Sequence, residues 1–97
     1  MVKNTQYEMM ILLREEFTET ELKTWAFKYA KKLQNLKASE IAVISRGKRE
    51  LAYTINNSKR GNYIQINFGS LTNAIDIFSK KLKFDEDVLR FAVLNKN

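Results

Sequence analysis

The chain has 97 residues, 44% hydrophobic and 29% charged, and its 17 lysines and arginines exceed its 11 acidic residues to leave a net charge of +6. That length and balance predict one globular domain over residues 1–97, built on a single core, with a polyanion such as nucleic acid as the first class of partner. The lack of cysteine and histidine excludes disulfides, thiolate nucleophiles, imidazole bases and the common zinc ligand sets, and the most apolar run, Met9 to Leu13, is far below the ~20 residues of a membrane helix.

Tyr7 to Arg14 (YEMMILLR) is a short apolar run with no capping residue before it, which predicts a buried central strand. Thr18-Glu19-Thr20-Glu21 then has the spacing of a capping box, in which the Thr18 hydroxyl accepts from the Glu21 amide and the Glu21 carboxylate accepts from the Thr18 amide. The helix that starts there carries Leu22, Trp25, Ala26, Tyr29, Ala30, Leu33 and Leu36 at steps of three and four, with Lys23, Lys28, Lys31 and Lys32 largely outside that stripe. Trp25 and Tyr29 therefore read as core, whereas Phe27 lies off the stripe and is expected to be partly exposed.

Glu40 to Ser45 and Lys48 to Ile55 are β-type stretches separated by Gly47, where a bulge or sharp twist costs little, so they read as one long bent strand. Asn56 to Gly61 is dense in turn-forming residues. Asn62 to Phe68 then alternates Ile64, Ile66 and Phe68 against Tyr63, Gln65 and Asn67, which completes a hairpin. Ser70 is placed to cap a second helix with Leu71, Ala74, Ile75, Phe78 and Leu82 on its apolar stripe. Asp85-Glu86-Asp87 turns the chain into a last strand, Val88 to Leu94.

Strand, helix, strand, strand, helix, strand is the order of the split βαβ, or ferredoxin-like, α+β plan: a four-stranded antiparallel sheet with both helices on one face and the other uncovered. That plan serves many functions, so the side chains of the site have to decide. The three glycines, at 47, 61 and 69, form no phosphate-binding loop, and the carboxylates gather at Glu15 to Glu21 and Asp85 to Asp87, where capping and solvated turns account for them. No catalytic residue, metal ligand or cofactor is assigned. The basic residues are more informative, because Arg46, Lys48, Arg49, Lys59 and Arg60 all belong to the long strand pair and its hairpin. Arginine suits phosphate through its two-pronged donor geometry. The lysines of the first helix read as a solvated outer face. If Met9, Ile11 and Leu13 face the helices, Met10 and Leu12 face outward and leave apolar surface on the open sheet, marking with Tyr63 a surface for a protein partner.

Larger blocks resemble a known family in their order along the chain. Tyr7-Glu8 opens the first strand. Gly47, Arg49, Leu51-Ala52-Tyr53 and Ile55 are similar to the pattern G-x-R-x-L-A-Y-x-I, and Lys59, Gly61 and Tyr63 follow at similar spacing. Leu82 to Arg90 (LKFDEDVLR) is similar to a closing L-K-x-D-E-x-V-L-R segment. Together these blocks resemble the family of the sixth protein of the bacterial and organellar small ribosomal subunit.

The resemblance implies a non-catalytic protein that binds the central domain of small-subunit ribosomal RNA with small-subunit protein eighteen as its partner. It implies no cofactor, no small-molecule substrate and no membrane, and a place on the ribosome in the bacterial cytoplasm or the plastid stroma. Carried over position by position, it makes Arg49 and Arg90 the first candidates for RNA contact and Lys59 the next, while Arg46, Lys48 and Arg60 rest on local charge alone. Arg46 stands where the family often has tryptophan, and Thr54 where proline is common. The rival reading of the same fold is a regulatory or oligomerising module that binds no RNA. An acyl-phosphate hydrolase is more remote, since no anion-cradling loop is visible.

Overall fold

The computed structural model describes residues 5–55, 58–70 and 72–96. Its elements run β1 (Thr5–Arg14), α1 (Glu19–Asn35), β2 (Ser39–Ile55), β3 (Ser58–Ser70), α2 (Thr72–Lys83) and β4 (Val88–Asn95). They form one sheet in the order β2-β3-β1-β4 with every neighbouring pair antiparallel, which is the ferredoxin-like arrangement expected. No helix among the described residues is long and apolar enough to cross a membrane.

Both ends of α1 follow from local chemistry. At its start the capping box is complete, with Thr18 N donating to Glu21 Oε1 at 2.9 Å and Glu21 N donating to Thr18 Oγ1 at 3.2 Å. The hydrogen bond from the Thr18 backbone N–H, with that of its side chain, holds the Glu21 carboxyl below its ordinary pKa. At the other end Lys37 N donates to Gln34 O and Ala38 N to Leu33 O, both at 3.0 Å. This is a Schellman closure, and it puts Lys37 at φ 66°, a conformation that usually falls to glycine.

Alternation along the strands sends Met9, Ile11 and Leu13 of β1 and Ile64, Ile66 and Phe68 of β3 to one face. There they are buried with Trp25, Tyr29 and Leu33 of α1 and Phe78 and Leu82 of α2. Aromatic rings tie the layers together: Trp25 lies 4.2 Å from Tyr29 between centroids, Tyr29 meets Phe78 edge-on at 5.7 Å, and Phe78 meets Phe68 at 6.1 Å.

Ser70 is the last residue of β3, buried and paired with Thr5, and α2 begins two residues on at Thr72. Two expectations are corrected. The hairpin turn is tighter than predicted, since Ser58 already pairs with Ile55; Asn56 and Asn57, like Leu71 of the second stripe, lie outside the described residues. Leu12 does lie on the face away from the helices, yet it is only 2% exposed. A Cβ at Gly61 on the neighbouring strand would come within 2.4 Å of Leu12 Cδ1, so the missing side chain at 61 is what lets Leu12 nest on an uncovered face.

Candidate nucleic-acid interface

The face away from the helices is built in rungs set by the strand registers. One rung runs Ala92, Met10, Gln65, Ile44 across the sheet, and the next runs Arg90, Leu12, Tyr63, Gly47. Beyond it, Arg14 pairs with Gly61, and Gly61 with Arg49. The position of Arg49 depends on an irregularity in β2. Ser45 pairs with Ile64 and Gly47 with Tyr63, so β2 advances two residues where β3 advances one. This bulge, with Gly47 at φ 83°, reverses the alternation of β2. Ile44 before it and Arg49 after it therefore share the open face, and Arg46 in the bulge joins them.

Arg46 is anchored there. Its Nε and Nη2 donate to Gln65 Oε1 at 2.9 and 2.5 Å, and Gln65 Nε2 in turn donates to Glu8 Oε1 at 3.2 Å and Asn67 Oδ1 at 3.0 Å. Every polar atom of the buried Gln65 side chain thus has a partner, which fixes the guanidinium in place. Arg49 donates only long 3.4 Å bonds to the Arg46 carbonyl, so most of its donors face solvent. Met10, Arg46, Arg49, Glu50, Tyr63 and Gln65 line one shallow groove.

Arg90 enters from the opposite edge of the sheet. Its Nη1 donates to Tyr53 Oη at 2.5 Å, and its guanidinium carbon lies 5.3 Å from the centre of the Tyr53 ring. Tyr53 can reach it because β2 leaves the ladder once more: from Glu50 to Ile55 it advances five residues while β3 advances two. The contact therefore joins the two edge strands across the open face, with Tyr53 still 58% exposed.

The expected basic residues divide between the faces. By register and alternation, Arg46, Arg49, Lys59 and Arg90 belong to the open face. Lys48, paired with Asn62, and Arg60, paired with Glu50, belong to the other. The three positions matched by family pattern thus fall on one face, and two of the three chosen on charge alone do not. Arg14 is drawn to the end of the sheet by Asp87 at 2.7 Å and the Phe17 ring at 5.6 Å. The expected apolar patch is mostly covered: Leu12 is buried, and Met10 and Tyr63 are only partly exposed.

Apolar surface lies elsewhere, in a groove between α1 and the edge strand β2. Leu22, Ala26, Phe27, Ala30, Val43 and Ile64 line it. Phe27, 67% exposed, was legible as off-stripe, but the groove itself needed the packing of α1 against β2 to be seen.

Asp85 is a structural carboxylate that the reading of a solvated turn missed. Its Oδ2 accepts from Tyr29 Oη at 2.6 Å and Trp25 Nε1 at 3.1 Å, and its Oδ1 accepts from Asp87 N at 2.9 Å. Burial alone would raise its pKa. The bonds from Tyr29, the Asp87 backbone and Trp25, with the nearby Lys28 charge, outweigh burial and hold it below the ordinary value. Burial and the same carboxylate push the Tyr29 phenol well above its usual range. The clue in the sequence was that two polar-tipped aromatics on a core stripe need an acceptor at their tips.

An arginine-bearing open sheet on a ferredoxin-like frame defines a basic α+β protein. A family model described as Ribosomal protein S6 matches residues 6–95. The chain is 68% identical over 91 residues to small ribosomal subunit protein bS6c of Trieres chinensis, covering 94% of this chain and 95% of that one. It is 57% identical to the bS6c protein of Phaeodactylum tricornutum (94% and 93% covered) and 33% identical to the bS6 protein of Trichormus variabilis (96% and 86%). The crystal structure of 30S ribosomal protein S6 from Thermotoga maritima superposes with a TM-score of 0.88 at 21% identity, covering 97% of this chain and 89% of that one, a likeness of fold. The chain belongs to the ribosomal protein S6 family: it is a small-subunit ribosomal protein, located on the ribosome, and not an enzyme.

Proposed function

We propose that this protein binds small-subunit ribosomal RNA through its open sheet face, with Arg49, Arg90 and Lys59 meeting phosphates and Arg46 bracing the surface. The observation that carries this reading is the bulge at Gly47, which gathers Arg46 and Arg49 on the face that Arg90 enters from the opposite edge. Such contacts position a protein on RNA without reading bases, which fits a role in assembly. Lys48 and Arg60, on the other face, are secondary candidates.

The protein partner in this reading is small-subunit protein eighteen. Met10 and Tyr63 offer it limited apolar surface, whereas the groove between α1 and β2 offers more and leaves the open face free for RNA. The ribosome concerned is a plastid one, because identity to the two bS6c proteins, 68% and 57%, far exceeds the 33% to the Trichormus variabilis protein.

The test is binding of the full chain, with protein eighteen present, to a central-domain fragment of small-subunit RNA over a range of salt concentrations. Arg49→Ala is expected to weaken binding and to reduce the slope of log K against log salt by about one, the signature of a lost phosphate contact. Unchanged affinity and slope in both Arg49→Ala and Arg90→Ala would remove the open face from the RNA site.

A further inference from the structure

Tyr53 and Arg90 are 37 positions apart in the chain, and their contact carries the outer part of β2 to the opposite edge of the sheet. Tyr53 lies between the Glu50–Arg60 and Ile55–Ser58 pairs, where β2 has left the ladder, so backbone pairing does not hold it over the sheet. Arg90 is fixed at its backbone by pairing with Leu12. The two side chains themselves make the join.

What holds an arginine decides what it can still bind. Arg14 is held by the carboxylate of Asp87 at 2.7 Å, which offsets its charge. Arg90 is held instead by a neutral phenol: Nη1 donates to Tyr53 Oη, and the guanidinium carbon lies 5.3 Å from the ring centre, within cation–π reach. Among the described residues Arg90 has no ion pair, and its Nε and Nη2 have no hydrogen-bond partner. One donor is spent on orientation, while the full charge and the rest of the fork stay available on an exposed side chain. A loose arginine would have to lose its rotamer freedom on meeting a phosphate, whereas this one is ordered beforehand.

We propose that Tyr53 is a positioning residue for RNA binding: its hydroxyl and ring hold the Arg90 guanidinium over the open face with its remaining donors turned to a phosphate. The proposal rests on the open-face reading and deepens it, since Tyr53 acts through Arg90 and need not touch RNA. A carboxylate in its place would cancel the charge, and phenylalanine would lack the acceptor.

The experiment is a double-mutant cycle in the binding of the full chain, with protein eighteen present, to the central-domain RNA fragment over a range of salt concentrations. Tyr53→Phe keeps the ring and removes the acceptor. It is expected to weaken binding about fivefold with the slope of log K against log salt unchanged, because no charge is lost. Arg90→Ala should lower that slope by about one. Adding Tyr53→Phe to Arg90→Ala should then cause no further loss, whereas adding it to Arg49→Ala should repeat the fivefold loss. A purely structural role would give the same loss in every background. Because Tyr53 is exposed, Tyr53→Phe leaves the fold intact, as circular dichroism can verify. If Arg90→Ala weakens binding but Tyr53→Phe does not, or Tyr53→Phe weakens it equally with and without Arg90, the positioning role is overturned and the open-face reading stands. Tighter binding by Tyr53→Phe would also overturn it, marking the phenol as a competitor for the guanidinium. Full affinity in both Arg49→Ala and Arg90→Ala would sink the open-face reading and this proposal with it.

Discussion

Replacing Asp85 by alanine removes the one acceptor shared by Trp25 and Tyr29, two buried residues whose polar tips meet at its Oδ2. An indole N–H and a phenol O–H would then have no protein partner, at about 1–3 kcal/mol for each buried unpaired donor. The site borders a groove, so water can satisfy part of the loss, and the lower end of the summed range applies: about 2–3 kcal/mol. In a domain of this size that lowers Tm by roughly 10–20 °C. Urea unfolding should be followed by far-ultraviolet circular dichroism, because the single tryptophan of the chain reports from the altered site itself. Tyr29→Phe on its own leaves Asp85 with two donors, and combining it with Asp85→Ala should show a coupling of about 1 kcal/mol. A loss below about 0.5 kcal/mol for Asp85→Ala, or strict additivity of the two changes, would refute the account. The pH dependence follows from the direction of the shift. A carboxyl depressed in the folded state contributes stability that is present above its unfolded value, near 3.8, and lost as pH falls through the lower folded value. Asp85→Asn should therefore flatten the loss of stability from pH 3.8 downward relative to the wild type.

Lys37→Gly should stabilise the protein by about 0.5–1 kcal/mol in chemical denaturation, since it relieves a left-handed backbone at the end of α1. Gly61→Ala should destabilise it by about 1–3 kcal/mol, because the new methyl meets Leu12 Cδ1 and the Leu13 carbonyl; pairing it with Leu12→Ala should recover only the side-chain part of the clash.

The elements were legible because each is written in a local period. Steps of three and four marked the stripe of α1, alternation marked β3, and Thr18 with Glu21 marked the start of α1. What failed were features set by residues far apart in the chain. Leu12 looked exposed on an uncovered face because the gap that shelters it is a glycine on the next strand. Asp85 looked like a solvated turn residue because its donors are 56 and 60 positions away. The arginines could be picked out as a group, but not sorted by face. Sorting them takes the register of β2 against β3, which depends on long-range pairing.

That register explains what the glycine at 47 does for the arginine at 49. Unbroken alternation would set Arg46, Lys48 and Glu50 on one face of β2 and Arg49 on the other. The extra residue at the bulge moves Arg49 across to join Arg46, and the ring of Tyr63 lies beside both. Nothing lies within 4 Å of where a Gly47 Cβ would be, so the demand for glycine there is conformational and not one of space. At Gly61 the demand is the reverse: the backbone is ordinary, and space for Leu12 decides. Neither glycine has a side chain that could touch RNA. One aims the guanidinium two residues on, and the other levels the floor beneath it, so the electrostatics of this face are arranged by residues that carry no charge.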